Sequence, residues 1–411
     1  MKDTKPLLNF CMITTFYPPY NFGGDGIQIY RLSNELAKRG HKVTVIHCKD
    51  AYNLLSSKQI KKEINPESHA NITIHSLESG LRGFSPFLTQ QTGLAFFKIR
   101  KITKILTENS FDVIHYHNMS LIGLQALEVG KAIKLYTMHD HWLICPMHVL
   151  WKFNNQICEQ PSCVACQIGG KTPPQLWRYS DLLEKYAKHV DSFISPSNFT
   201  INKHRERGFT FPIKHIPHFL PSEEIEKDGV TDIPPHAKEY FLYVGRLEKI
   251  KGIHKLIEVF RDYKQADLLI VGEGTYQDTL KKMGKGLAHI HFLGKLSYQQ
   301  LIPYYRNALA TIVPSVCFEV FGLIALESFY QKTPVIAHNM GGIAEIVNES
   351  QGGINYSTSA ELVQAMESLR LNSPLRRELG RNGYEAYQRL WHENKHIEQY
   401  LELINQYLPK N

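Results

Sequence analysis

No apolar run in this 411-residue chain approaches the roughly 18 residues that a membrane span needs. The first nine residues are polar in character and lead straight into a strand pattern, unlike a secretory leader, so a cytoplasmic protein is expected. No Asp-x-Asp motif is present to hold a catalytic cation, and metal-independent chemistry is therefore expected. The first strand–helix turn lacks the Gly-x-Gly-x-x-Gly spacing, which removes a nicotinamide dehydrogenase. No short repeat is visible. Charged residues are 21% and hydrophobic ones 43%, ordinary for a soluble enzyme of two or three domains.

What is there is alternation. Residues 8–16 form a strand pattern, 17–26 a loop containing Gly23-Gly24-Asp25-Gly26, 27–39 a helix ended by Gly40, and 42–47 a second strand. The unit repeats, with strands expected at 72–75, 113–116, 134–137, 192–194 and 213–215, and a polar loop at 50–70. Such alternation implies a parallel sheet with helices on both faces. Residues 217–235, with four prolines and several acids, read as an interdomain linker. A second series follows, with strands near 241–244, 268–271, 290–292, 310–313 and 335–337. Residues 391–408 end the chain as an amphipathic helix.

Charge is unevenly divided. Residues 1–215 hold 26 Lys+Arg against 16 Asp+Glu, a net +10, while residues 216–411 hold 21 against 23, a net −2. A basic half suits an anionic acceptor or an anionic membrane surface, and no nucleic-acid partner is expected. Residues 96–106 concentrate the effect, with apolar residues at 96, 99, 102, 105 and 106 and Lys98, Arg100, Lys101 and Lys104 between them. Such a segment either lies on a bilayer or is a core-facing helix with a solvated basic face.

The apolar run 308–313 reads as a buried strand, followed by a loop with Glu319 and then by Gly322-Leu323, which opens a helix bearing Glu327. Two carboxylates thus flank a helix N-terminus whose free N–H groups favour an anion. Carboxylates bind sugar and ribose hydroxyls, and the helix end binds phosphate, so the pattern suits a sugar nucleotide. Upstream, Phe241-Leu-Tyr-Val-Gly-Arg-Leu-Glu-Lys-Ile-Lys-Gly252 reads as a strand, a turn at Gly245, and a loop presenting Arg246 and Lys251. Two fixed cations there can neutralise a leaving diphosphate.

These two stretches together resemble the retaining glycosyltransferases of family 4, with their Gly-Arg-Leu-x-x-x-Lys-Gly and Glu-x7-Glu signatures in the same order and about seventy residues apart. The resemblance implies the GT-B fold, two doubly wound Rossmann-like domains facing a cleft. Residues 1–216 would bind acceptor, 217–390 would bind the nucleotide sugar, and the helix 391–411 would cross back to the N-terminal domain. It assigns donor binding to Gly245, Arg246, Lys251, Glu319, Phe321, Gly322, Leu323 and Glu327. Gly23 and Gly24 would form the acceptor or phosphate loop facing the reaction centre, where Asp25 departs from the small residues usual in the family. His139, in its His-Asp context, matches the family's active-site histidine, and His117 and Asn118 would contact the acceptor. The family also sets the loop of Asn339-Met-Gly-Gly-Ile-Ala-Glu-Ile-Val347 beside the donor sugar, while Glu345, an acid in a first turn, is expected to cap the helix that follows. Ser195-Pro-Ser197-Asn198 fits either a place near the donor or a helix N-cap.

Of seven cysteines, Cys11, Cys48 and Cys317 look like core residues. The other four, Cys145, Cys158, Cys163 and Cys166, fall within 22 residues and end in Cys-x-x-Cys. A structural zinc, an iron–sulfur cluster and unliganded or redox thiols all fit that spacing.

The expected activity is retaining transfer of a sugar from a UDP- or GDP-linked donor to a hydroxyl of a glycan or lipid-linked acceptor. Cell-surface polysaccharide synthesis at the inner face of the membrane is the expected setting. Another GT-B enzyme, such as a sugar-nucleotide epimerase or a phosphorylase, and a catalytically silent GT-B binding protein are the alternatives.

Overall fold

The computed structural model describes residues 6–56, 68–225 and 235–409. Seven parallel strands make the first sheet: β1 (Asn9–Thr14), β2 (Lys42–Cys48), β3 (Ile72–Leu77), β4 (Val113–Tyr116), β5 (Ile133–Thr137), β8 (Ser192–Ser195) and β9 (Ile213–His215). Between β5 and β8 the chain inserts a short antiparallel hairpin, β6 (Trp151–Lys152) with β7 (Gln156–Ile157). Six more strands make the second sheet: β10 (Tyr240–Val244), β11 (Asp267–Val271), β12 (Ile290–Gly294), β13 (Thr311–Val313), β14 (Val335–His338) and β15 (Gly353–Tyr356).

Central strands such as Val113–Tyr116 and Asp267–Val271 are buried at every position. That is why they read as continuous apolar runs rather than alternating ones. The sheet orders are β3-β2-β1-β4-β5-β8-β9 and β12-β11-β10-β13-β14-β15. In both, the order reverses beside the first strand, between β1 and β4 and between β10 and β13. Loops leaving the carboxyl ends of strands at such a reversal splay apart and open a crevice. Here the loops after β1, β10 and β13 do so, joined by the loop after β5, the strand next to β4.

The end of the chain belongs to both halves. Trp391 is buried with Phe329, Leu326 and Val335 of the second sheet's layer, whereas Ile397, Tyr400, Leu403 and Ile404 pack with Leu8, Phe10, Leu32 and Val43 of the first. The final helix, Glu393–Asn405, therefore crosses back as a brace, preceded by a π-helical turn at Tyr387–Trp391. Among the described residues no helix is long and apolar enough to cross a membrane.

Four expectations need correction. Residues 49–55 form a helix rather than part of a loop, and most of the remaining stretch, 57–67, lies outside the described residues, as do 226–234 of the linker. The first helix is Gly24–Lys38, so it begins at the second glycine of the Gly-Gly turn. Strand β15 was not anticipated, because Gly353-Ile-Asn-Tyr offers just one fully buried side chain and no alternation. The basic segment forms the helix Ile99–Glu108 beneath Lys98, which is not on its solvated face. Lys98 is 3% exposed, and its Nζ donates to Leu121 O at 2.7 Å and Thr89 Oγ1 at 3.2 Å.

Candidate active site

The loops at the two sheet reversals, with the loop after β5, enclose a cleft of about 560 Å³, lined from both sides by residues 22–25, 139–141, 243–246, 250–251, 315 and 317–324. Its walls come close: a Cβ added to Gly24 would lie 3.2 Å from Leu323 Cδ1, and one on Gly23 would lie 3.9 Å from Arg246 Nε.

The C-terminal wall is built on two glycine turns. Gly245 leaves β10 at φ 153°, and Gly252 closes the basic loop at φ 73°. Between them Arg246 extends into the cleft, half-exposed, with Nη1 2.7 Å from Glu248 Oε1. Lys251 reaches across to the next loop, where its Nζ donates to Glu319 Oε1 at 2.6 Å. Ser315 Oγ donates to the same oxygen at 2.6 Å. Burial pushes the Glu319 carboxyl up, but the Lys251 ammonium and the two hydrogen bonds outweigh it and hold the group below its ordinary value. Conversely, burial lowers the Lys251 ammonium and Glu319 more than restores it. The helix Leu323–Tyr330 starts at Gly322 with no side chain capping it, so its N–H groups face the cleft. Glu327 lines the same space and accepts from Tyr305 OH at 2.8 Å. Burial raises its carboxyl despite the Arg31 guanidinium nearby.

The N-terminal wall holds His139 in a stack of imidazoles. Its ring lies on His218 at 5.1 Å and 15°, and His218 in turn meets the edge of Phe321 at 5.3 Å. His139 Nε2 is 2.9 Å from His117 Nδ1. Burial pushes His139 down to about 4, so its imidazole is neutral at physiological pH. His117 and Asn118 do not line this cleft. His117 is buried behind His139, and Asn118 meets Asp25 through an Nδ2–Oδ2 contact of 3.5 Å.

Glu345 is corrected too. It sits inside the helix Gly341–Ser350, yet its carboxylate accepts from the backbone N–H groups of Asn198 and Phe199, at 2.9 and 2.7 Å. It therefore caps the helix Asn198–Glu206 of the other half. Ser197 is that helix's N-cap, accepting from Thr200 N, and it also donates to Val320 O at 2.6 Å beside Glu319. The Gly341-Gly342 pair admits the chain's own backbone, since a Cβ on Gly341 would be 2.6 Å from Glu319 N.

Sequence reasoning passed over Arg31, Ser315, Tyr305 and His218, all of which line the cleft or hold a group that does. Arg31 is buried in the first helix and donates to Glu224 Oε2 at 2.6 Å through Nη2. Helical spacing hides it among solvated charges. Asp25 was noticed only as a departure from pattern. It lines the cleft, and burial raises its carboxyl to about 6 against the Gly26 N–H and the Arg246 charge.

The four clustered cysteines surround the hairpin, with Cys163 and Cys166 on the helix Cys163–Gly169. Cys166 Sγ accepts from Phe153 N, while Cys158 Sγ faces Gln160 O and Arg207. No three of these sulfurs lie within 4.8 Å of one another among the described residues, so a tetrahedral metal requires the thiols to draw together. Cys11 and Cys48 are core residues, and Cys317 is buried beside Glu319.

Comparisons with known proteins agree with this fold. The family model described as Glycosyltransferase Family 4 matches residues 22–224, and that for Glycosyl transferases group 1 matches residues 227–386. An uncharacterized glycosyltransferase of Methanocaldococcus jannaschii is 27% identical over 84% of this chain and 84% of its own. Among solved structures, sucrose-phosphate synthase of Thermosynechococcus elongatus superposes with a TM-score of 0.72 at 20% identity, covering 97% of this chain and 98% of that one. Anabaena HepE in complex with UDP-glucose gives 0.70 at 16%, covering 97% and 100%.

Proposed function

The chain belongs to the GT-B glycosyltransferases of the family 4 type, and from that premise we propose that it is a retaining transferase moving a sugar from a UDP- or GDP-linked donor to a hydroxyl of a glycan or lipid-linked acceptor, in the synthesis of a cell-surface polysaccharide. One observation carries this reading. Arg246, Lys251 and an uncapped helix N-terminus converge on the cleft where Glu319 and Glu327 present carboxylates.

In this scheme the diphosphate takes up Lys251 and Arg246 and lies against the N–H groups of Leu323 and Ile324. Positive charge fixed there stabilises the leaving group without reorganisation. Lys251 cannot serve the phosphate and Glu319 equally, so donor binding loosens the 2.6 Å pair and frees Glu319 for the sugar's hydroxyls. Glu327 binds ribose hydroxyls through the oxygen that Tyr305 leaves open. The bond from the anomeric carbon to the phosphate oxygen breaks, and the acceptor oxygen bonds to the same face of that carbon. The acceptor proton passes to the departing phosphate oxygen. Neutral His139 steadies charge at the anomeric centre. The absence of an Asp-x-Asp motif supports chemistry without a catalytic metal, so turnover is expected to survive EDTA.

Asp25 closes the acceptor side, beside Gly23 and Gly24. Its carboxyl is raised from 3.8 to about 6, so the folded state holds a proton that the unfolded state has lost, and stability falls as pH rises through that window. Asp25→Asn should therefore raise the melting temperature at pH 7.5 and hardly change it at pH 3.5. Acceptor KM should rise in the same variant, with donor affinity kept. An unchanged melting temperature at both pH values would contradict the assignment.

The acceptor reading has support from the surface. Phe96 and Phe97 are 51% and 48% exposed, just ahead of Arg100, Lys101 and Lys104 on the helix Ile99–Glu108. Exposed aromatics beside cations suit the headgroup layer of an anionic membrane. Changing Arg100, Lys101 and Lys104 together to Gln should reduce sedimentation with anionic vesicles and leave donor binding intact; undiminished sedimentation would favour a merely solvated face. Lys98 stays, because its buried ammonium is structural.

The cysteine hairpin is proposed to hold one zinc through Cys145, Cys158, Cys163 and Cys166, with thiolates that must close from their present separation. Elemental analysis should find about one zinc per chain, lost in Cys163→Ser. Metal-free protein with four freely titrating thiols would end the idea.

A further inference from the structure

A second group of ligand atoms lies at the opposite end of the second sheet. Asp267 opens β11, His291 is the second residue of β12, and His236 lies in the segment leading into β10. Because these strands are parallel, their amino ends point away from the carboxyl ends that frame the cleft. His236 Nε2 is 2.8 Å, and His291 Nε2 2.9 Å, from one and the same oxygen, Asp267 Oδ2. All three ligand atoms lie within 4.8 Å of one another. The imidazoles are 21% and 34% exposed and the carboxylate 6%, so the group is partly open to solvent.

We propose that His236, Asp267 and His291 bind a divalent transition-metal cation of the zinc type, with solvent completing its coordination. Two imidazole nitrogens and one carboxylate oxygen are the donor set such ions prefer, whereas magnesium and calcium favour oxygen throughout. Bonds of roughly 2.0–2.1 Å in a tetrahedron place donors about 3.3 Å apart, so the two nitrogen–oxygen separations need to widen by only about half an ångström. Without a cation both rings donate to a single carboxylate oxygen, a crowded arrangement that a metal relieves by standing between them. Lys238, 72% exposed with Nζ 3.9 Å from Asp267 Oδ1, is free to swing aside. The cation joins the edge strand β12, its neighbour β11 and the lead-in to β10. It would clamp three separate chain segments far from the reaction centre.

Cobalt(II) titration of chelator-stripped full-length protein tests this, with zinc added in competition. The wild type should show a site with ligand-field bands but no thiolate-to-cobalt charge transfer, displaced by zinc. His291→Gln and Asp267→Asn should each weaken that site by more than the about 10–100-fold that loss of an outer-shell partner costs. Any thiolate-type band from the cysteine hairpin should persist unchanged in both. Asp267→Asn keeps acceptors for the imidazoles, and His291 is on an edge strand, so near-ultraviolet circular dichroism should confirm a native fold in at least one. Cobalt binding that is purely thiolate in character, or that is identical in wild type and a folded variant, overturns the proposal.

Discussion

Arg246→Ala should lower turnover at least about 100-fold, as loss of preorganised transition-state electrostatics does, while the melting temperature stays near that of the wild type. The side chain is 54% exposed and its partner Glu248 26%, and ion pairs open to solvent in this way contribute little, so little stability rides on it. Lys251→Ala should lose as much turnover but behave differently on heating. It strips a 21% exposed carboxylate of its counter-charge and leaves it only the Ser315 hydrogen bond, which costs about 1–3 kcal/mol. That cost depends on pH. The depressed Glu319 carboxyl contributes stability above its ordinary value of 4.5 and loses it as pH falls through the folded-state value. The deficit of Lys251→Ala should therefore shrink at acid pH. Adding Glu319→Gln should restore the melting temperature and not the turnover. Near-normal turnover in both single variants would show that the leaving group lies elsewhere.

Gly252→Ala should be the most damaging single change in the cleft. The residue holds φ 73°, and a Cβ there would sit 1.8 Å from Pro314 O and 2.7 Å from Pro314 C. Backbone atoms cannot rotate away as side chains do, so either the basic loop or the loop bearing Ser315 and Glu319 must move. Strain of this kind costs on the order of 3 kcal/mol. Displacing either loop also separates Lys251 from Glu319, so donor affinity should fall with stability. Gly286→Ala is the control: its φ is 84°, with nothing within 4 Å of the added Cβ. It should pay only the left-handed backbone strain. If the two variants melt alike and bind donor alike, the close approach at Pro314 is not what shapes the cleft.

Both motif stretches were legible because each is local: an apolar run gives way to a loop carrying glycine and charges, and β10 and β13 end where those runs do. Parallel sheet content was legible for the same reason, since fully buried strands such as Val113–Tyr116 give unbroken apolar runs. What escaped was pairing across distance. Nothing in the order of residues says that Glu345 caps a helix 147 positions upstream, or that His117 stands behind His139. Lys98 looked like one more cation in a solvated row until the loop carrying Leu121 O closed over it. The cysteine spacing suggested a metal more strongly than the sulfur positions do, whereas His236, Asp267 and His291, scattered over 56 positions, gave no pattern at all.

The central claim is that the cleft between the sheets takes a nucleoside diphosphate sugar through Arg246, Lys251 and the helix at Leu323. Thermal denaturation with a panel of UDP- and GDP-linked sugars tests it most directly, because a ligand at 100 times its Kd adds about 2.7 kcal/mol to a fold that binds it. The account predicts that at least one member of the panel raises the melting temperature of the wild type, and that the shift is lost in Arg246→Ala although that variant melts normally alone. No shift from any nucleotide sugar, or an equal shift in wild type and Arg246→Ala, would contradict it.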